Sequence, residues 1–186
     1  MNKKIFSITR VAVKGFTILE MLITLAILAM VLFPIYEFMR QGALAWEVGE
    51  NKTEVVQNAR IGLDKMCDEL KHAQEFYTIT ANQVRFWWRD INDDEIADAN
   101  EILTYSWSGI SGESLTRKFD NEPAATPLAD YVDSLEYRYF DETKAQTAVA
   151  GNVFFLTATL RIKKTVRGND YTSVMRKSVC ARNINW

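Results

Sequence analysis

Three groups of side chains in this 186-residue chain are of types that do chemistry. The densest is a run of oxygen donors between residues 90 and 101. Asp90, Asn92, Asp94, the carbonyl of Ile96, Asp98 and Glu101 fall at the ligand spacing of an EF-hand loop, with Glu101 in the place of the bidentate carboxylate. Hard oxygens crowded this closely suit calcium, whose charge offsets their mutual repulsion. Glu95 stands where the sharp turn calls for glycine, and the flanks read as strands, so the loop is not an EF-hand. The competing reading is a solvated acidic hairpin loop. The second group is a pair of cysteines, Cys67 and Cys180. Neither belongs to a CxxC, so zinc has no support. In an exported domain they form one candidate disulfide; the alternative is two free thiols. The third is one carboxylate, Glu20, set inside a long apolar run.

No catalytic constellation accompanies these groups. His72 is the single histidine, and it falls on the charged side of a helical pattern. There is no GxSxG, no HExxH and no glycine-rich phosphate loop. Trp87 and Trp88 invite comparison with a sugar platform, but adjacent strand residues place one ring on each face. The sequence reads as non-enzymatic, with no cofactor required and calcium as the one candidate.

The elements that must position these residues follow from periodicity. Residues 16–36 are apolar except for Glu20, and as a helix they match the thickness of a bilayer core. Lys3, Lys4, Arg10 and Lys14 precede them with no acid, so the N-terminus should stay cytoplasmic and the body outside. The rest of the chain is acidic overall, which argues against a nucleic-acid partner. Residues 37–77 read as an amphipathic continuation of the helix, with a seam at Val56, Ala59, Leu63, Met66, Leu70, Ala73 and Tyr77. Pro34, Gly42 and Gly49 predict bends or a local melt. Beyond Tyr77 the period becomes two: Val84 and Phe86, Leu103 and Tyr105, Leu135, Tyr137 and Tyr139, then Leu156 to Ile162. Gly168-Asn169-Asp170 predicts a turn into a last strand over 171–181. Residues 78–186 are thus an antiparallel sheet that wants the helix as cover, an α+β fold.

Three readings of the apolar segment compete. A secretory signal peptide has a small-x-small site at Ala43-Leu44-Ala45, but the run is too long and carries a carboxylate. A plain anchor tolerates Glu20 near the interface. The third rests on the stretch Gly15-Phe16-Thr17-Ile18-Leu19-Glu20-Met21-Leu22 behind a basic leader. It resembles the class III signal of type IV prepilins and pseudopilins, with a leader longer than the shortest of that family. The order of the body, including "ARIGLDKMCDELKHAQ" and "PLADYVDSLEYRYFD", is similar to the minor pilins around PilW and the J pseudopilin of type II secretion.

The resemblance implies a pilin-like fold and a leader, 1–15, removed by a prepilin peptidase between Gly15 and Phe16, with Phe16 then N-methylated. It implies a subunit that waits in the inner membrane with its C-terminal domain extracytoplasmic, then joins a pilus or pseudopilus. Its partners would be other minor and major pilins or pseudopilins and an inner-membrane assembly platform. Glu20 then becomes an assembly residue: an unpaired carboxylate in lipid is costly, and the Phe16 amine of a neighbouring subunit relieves that cost. The competing class is a membrane-anchored or secreted binding domain.

Overall fold

The computed structural model describes residues 15–181, so the leader expected at 1–15 lies, apart from Gly15, outside the described residues. Among the described residues one α-helix, α1 (Ile18–Leu70), is followed by seven strands: β1 (Glu75–Ile79), β2 (Gln83–Trp87), β3 (Ile102–Ser106), β4 (Glu113–Phe119), β5 (Thr126–Phe140), β6 (Phe155–Val166) and β7 (Asn169–Cys180), with a short 3-10 turn at Ala150–Asn152. The melt expected at Pro34, Gly42 and Gly49 is absent: helix is continuous through all three. A glycine costs a helix only about 1 kcal/mol, and the turns on either side supply that. The chain separates into two compact units, one ending at Glu47 and one beginning at Val48.

In the first unit the helix is bare. Its apolar side chains from Ile18 to Met39 are solvent-exposed in the isolated chain. By length and composition it is apolar enough to cross a membrane.

In the second unit the remainder of α1 covers an antiparallel sheet whose strands lie in sequence order, β1 to β7. The architecture is the α+β one expected from the sequence. The helix buries Val55, Ala59, Gly62, Leu63, Met66, Cys67 and Leu70. The seam therefore begins at Val55 rather than Val56; a step of four and a step of three both suit a 3.6-residue period. The facing side chains include Phe86, Tyr105, Leu115, Leu135, Leu160 and Ile162.

The helix ends at Leu70, so the expected boundary at residue 77 moves forward and Tyr77 lies in β1. Ala73 donates to the Leu70 carbonyl at 3.2 Å, and Gln74 then donates to Trp87 at 2.9 Å, opening the sheet. The sequence Glu75-Phe76-Tyr77-Thr78-Ile79 is rich in aromatic and β-branched residues that favour a strand.

Polar ties hold helix to sheet. Arg117 forks onto Glu69 through Nε (2.9 Å) and Nη2 (3.0 Å), and the Tyr105 hydroxyl donates to the same carboxylate. Asn58 donates to the Asp130 carbonyl (3.0 Å) and accepts from the Asp130 amide (3.3 Å). That double contact sits beside Tyr131, a left-handed residue at φ 58° next to the irregularity in β5.

Candidate functional site: the processing and assembly helix

Gly15, Phe16 and Thr17 are non-helical and lead directly into α1. A peptidase needs backbone free of helical hydrogen bonds, and this stretch offers it one step before the helix begins. A Cβ at Gly15 would meet nothing within 4 Å, and Phe16 is 73% exposed.

The start of α1 is fixed by two residues. The Glu20 amide donates to the Thr17 hydroxyl at 3.2 Å, and the Thr17 amide donates back to the Glu20 carboxylate at 3.5 Å. This is a capping box, in which two otherwise orphaned helix-end amides are satisfied reciprocally. Glu20 also places negative charge in the first turn, where the helix dipole favours it. The sequence signal for Thr17 is local: Thr17-x-x-Glu20 before an apolar run is the pattern of a capping box.

Residues 10–36 match the family described as the prokaryotic N-terminal methylation motif. This chain carries a pilin-type N-terminal signal. The matched span contains Gly15, Phe16, Thr17 and Glu20, and it ends within the bare part of α1. Such a signal supports a type IV pilin- or pseudopilin-type protein, processed by a prepilin peptidase, anchored in a membrane by its N-terminal helix and assembling with pilins. No curated protein matches the chain at a significant level.

The acidic loop is organised by its own hydrogen bonds. Asp90 accepts from the amides of Asp94 (3.3 Å) and Glu95 (2.8 Å). The Asn92 side-chain nitrogen lies 2.9 Å from an Asp94 oxygen and 3.2 Å from an Asp98 oxygen. Glu101 points elsewhere. It is buried beneath the loop, where Oε2 accepts from Trp87 Nε1 at 3.1 Å and Oε1 from the Ile91 amide at 2.6 Å. The structure thus gathers Asn92, Asp94 and Asp98, sets Asp90 to cap the turn, and uses Glu101 as the loop's anchor. Among the described residues no three acidic, His or Cys side chains converge as a metal site.

The cysteines do not meet. Both are free, Cys67 buried and Cys180 exposed. Cys67 lies on the helix face against the sheet. On β7, Val179 faces the helix and its neighbour Cys180 points to the other side. The sheet stands between the two sulfurs, so the candidate disulfide is not formed. Burial pushes the Cys67 thiol up to about 11, with Asp64 and Asp68 adding to the effect and Lys177 and Lys71 opposing it.

His72 is exposed, and its Nδ1 lies 2.9 Å from the Asp68 carbonyl. Trp87 is held by Glu101, whereas Trp88 packs on Phe119 with ring centroids 5.9 Å apart. The two indoles make no common platform.

Proposed function

We propose that the chain is a minor pilin or pseudopilin, a non-catalytic subunit that helps to initiate or cap a type IV pilus or a type II secretion-type filament. The observation that carries this reading is the coincidence of the methylation signal with an open Gly15–Phe16 bond, a helix start built from Thr17 and Glu20, and a helix whose first half is bare apolar surface. Glu20 is positioned to exchange its contact with its own chain for the Phe16 amine of a neighbour. The C-terminal domain then carries the choice of partner. N-terminal peptide mass spectrometry of the protein from cells with an active prepilin peptidase tests this. An N-methylated Phe16 start is expected; a start at Met1 or at Trp46 would leave a membrane-anchored or secreted binding domain instead.

A second reading concerns the loop at 90–101. Two carboxylates, Asp94 and Asp98, converge on one side-chain nitrogen of Asn92. Calcium in place of that donor, with Asp90 and the Ile96 carbonyl drawn in, would neutralise the same charges. Glu101 would have to leave its buried position to complete the set, so binding would reorganise the loop.

A further inference from the structure

The two edges of the sheet are unlike. At one end β1 is five residues long, its pairing slips between Phe76 and Thr78, and the turn at Ala150–Asn152 packs against it. These are the devices that protect an edge from pairing with other chains. At the other end β7 is twelve residues long, contains no proline and pairs with β6 from Asn169 to Cys180 without a slip.

Which backbone groups of β7 face outward follows from its turn. Arg167 (φ 51°) and Gly168 (φ 80°) form a two-residue left-handed turn, the type I′ geometry that closes on a hydrogen-bonded pair. Val166 and Asn169 are that pair, and hydrogen-bonded pairs then recur at every second residue. The amides and carbonyls of Asp170, Thr172, Val174, Arg176, Ser178 and Cys180 therefore point away from β6. Among the described residues β7 has a neighbour on one side only. The same six side chains are exposed on the face away from the helix.

We infer that β7 is a docking edge that accepts an extended strand from a neighbouring protein of the same filament. A row of outward backbone groups at two-residue spacing is satisfied by another strand, and not by a helix or by lipid. The exposed side chains set the chemistry of that strand. Arg176 has no ion pair among the described residues, while Arg161 pairs with Asp133, Lys163 with Asp170 and Lys177 with Asp64. Val174 is 62% exposed two residues away. The incoming strand carries a carboxylate opposite Arg176 and an apolar side chain opposite Val174. Among the described strands, β1 sets Glu75 two residues from Tyr77 but is the short, protected edge, and the Asp170 carboxylate of β7 is already held by Lys163, which makes a different subunit the occupant rather than a second copy.

This inference rests on the filament reading, and one experiment separates the two. The full chain is produced in its own cells with a photo-crosslinking residue at Val174, and with one at Ser173 on the helix side as control. Its N-terminus is read from the same sample. The expected result is a methylated Phe16 start and an adduct from position 174, absent from 173, to an extended acidic segment of another signal-bearing subunit. Thr172→Pro removes an outward amide while leaving the β6 ladder whole, and should abolish the adduct without lowering the melting temperature. Val174→Lys, a charge placed on the edge, should assemble poorly. A methylated start with no adduct, or adducts only between copies of this chain, would overturn the docking edge. A Met1 start would overturn the filament reading itself.

Discussion

Gly62 on α1 lies directly over Ala129 on β5: a Cβ at position 62 would stand 2.7 Å from the Ala129 Cβ. Both positions are buried. Gly62→Ala gains about 1 kcal/mol of helix propensity but forces helix and sheet apart, and overpacking of this kind costs about 1–3 kcal/mol. A net loss is expected in denaturant unfolding of the second unit. The double variant Gly62→Ala/Ala129→Gly should recover part of it. A Gly62→Ala domain more stable than the parent would show that the contact relaxes freely.

Arg117 and Glu69 supply the second test of the same interface. Their side chains are 17% and 12% exposed, so the pair is shielded but not dry. Arg117→Leu leaves the Glu69 carboxylate with Tyr105 and a longer contact to Lys65 at 3.5 Å. The expected loss is about 2–3 kcal/mol, discounted from a fully buried pair because water reaches it. Glu69→Leu/Arg117→Leu should lose less than Arg117→Leu alone, since no charge is stranded. Equal losses would mean that packing, and not the ion pair, holds this contact.

The thiols predict a pH response. At pH 8 Cys180 should react with a disulfide reagent at once, and Cys67 only on unfolding. With its thiol raised to about 11, Cys67 is about one part in a thousand thiolate at that pH. Non-reducing peptide mapping should find the two cysteines unlinked. In the linkage sense the folded state holds the Cys67 proton more tightly than the unfolded state, whose value is 9.0. The stability from this group is complete below pH 9 and is lost as pH rises through about 11. Tyr137, Tyr105 and Tyr139, all raised chiefly by burial, continue the decline at higher pH. Urea midpoints measured from pH 8 to 10.5 should fall, and should fall less in Cys67→Ala. A flat profile would mean that these groups titrate as freely in the fold as outside it.

What the sequence made legible were the features with a period. The helix seam at Ala59, Leu63, Met66 and Leu70 and the alternation in β2, β3, β5 and β6 are each a regular apolar repeat. β4 had no such signal, because Leu115 is its single buried apolar residue and Arg117 turns inward only to meet Glu69. β1 was hidden because Tyr77 falls four residues after Ala73 and so prolongs a helical count. Glu101 shows the limit at the site. Its spacing suited a metal ligand, and nothing local reveals that Trp87, fourteen residues earlier, would claim it. Gly62 likewise carries no local sign that Ala129, far along the chain, packs against it.

Calcium at the acidic loop has a direct readout. Saturation at about ten times the dissociation constant adds about 1.4 kcal/mol, which for a domain of this size raises the melting temperature by about 3–6 °C. The expected rise should be absent in Asp94→Ala and absent with magnesium, whose octahedral demand the loop does not suit. Glu101→Gln tests the anchor separately. It should lower stability without calcium, because Trp87 and the Ile91 amide lose a charged acceptor. No shift with calcium in the parent domain would leave a loop held by its own hydrogen bonds alone.

The capping box separates two roles of Glu20 that a single substitution would confuse. Glu20 stabilises the helix start through Thr17, and it carries the charge proposed to meet a neighbour's Phe16 amine. Thr17→Val removes the hydroxyl and costs the first turn about 1 kcal/mol, yet leaves the charge in place. Glu20→Gln removes the charge and keeps a side chain able to complete the box. Neither touches the Gly15–Phe16 bond, so both variants should start at methylated Phe16. Thr17→Val should enter filaments at a reduced level, because a frayed turn presents the carboxylate less often. Glu20→Gln should be processed and yet fail to co-isolate with filament subunits, since an amide offers an ammonium group no ion pair in lipid. If Glu20→Gln assembled as well as the parent while Thr17→Val did not, the carboxylate would be a helix cap and nothing more, and the docking register would have to come from elsewhere in the chain.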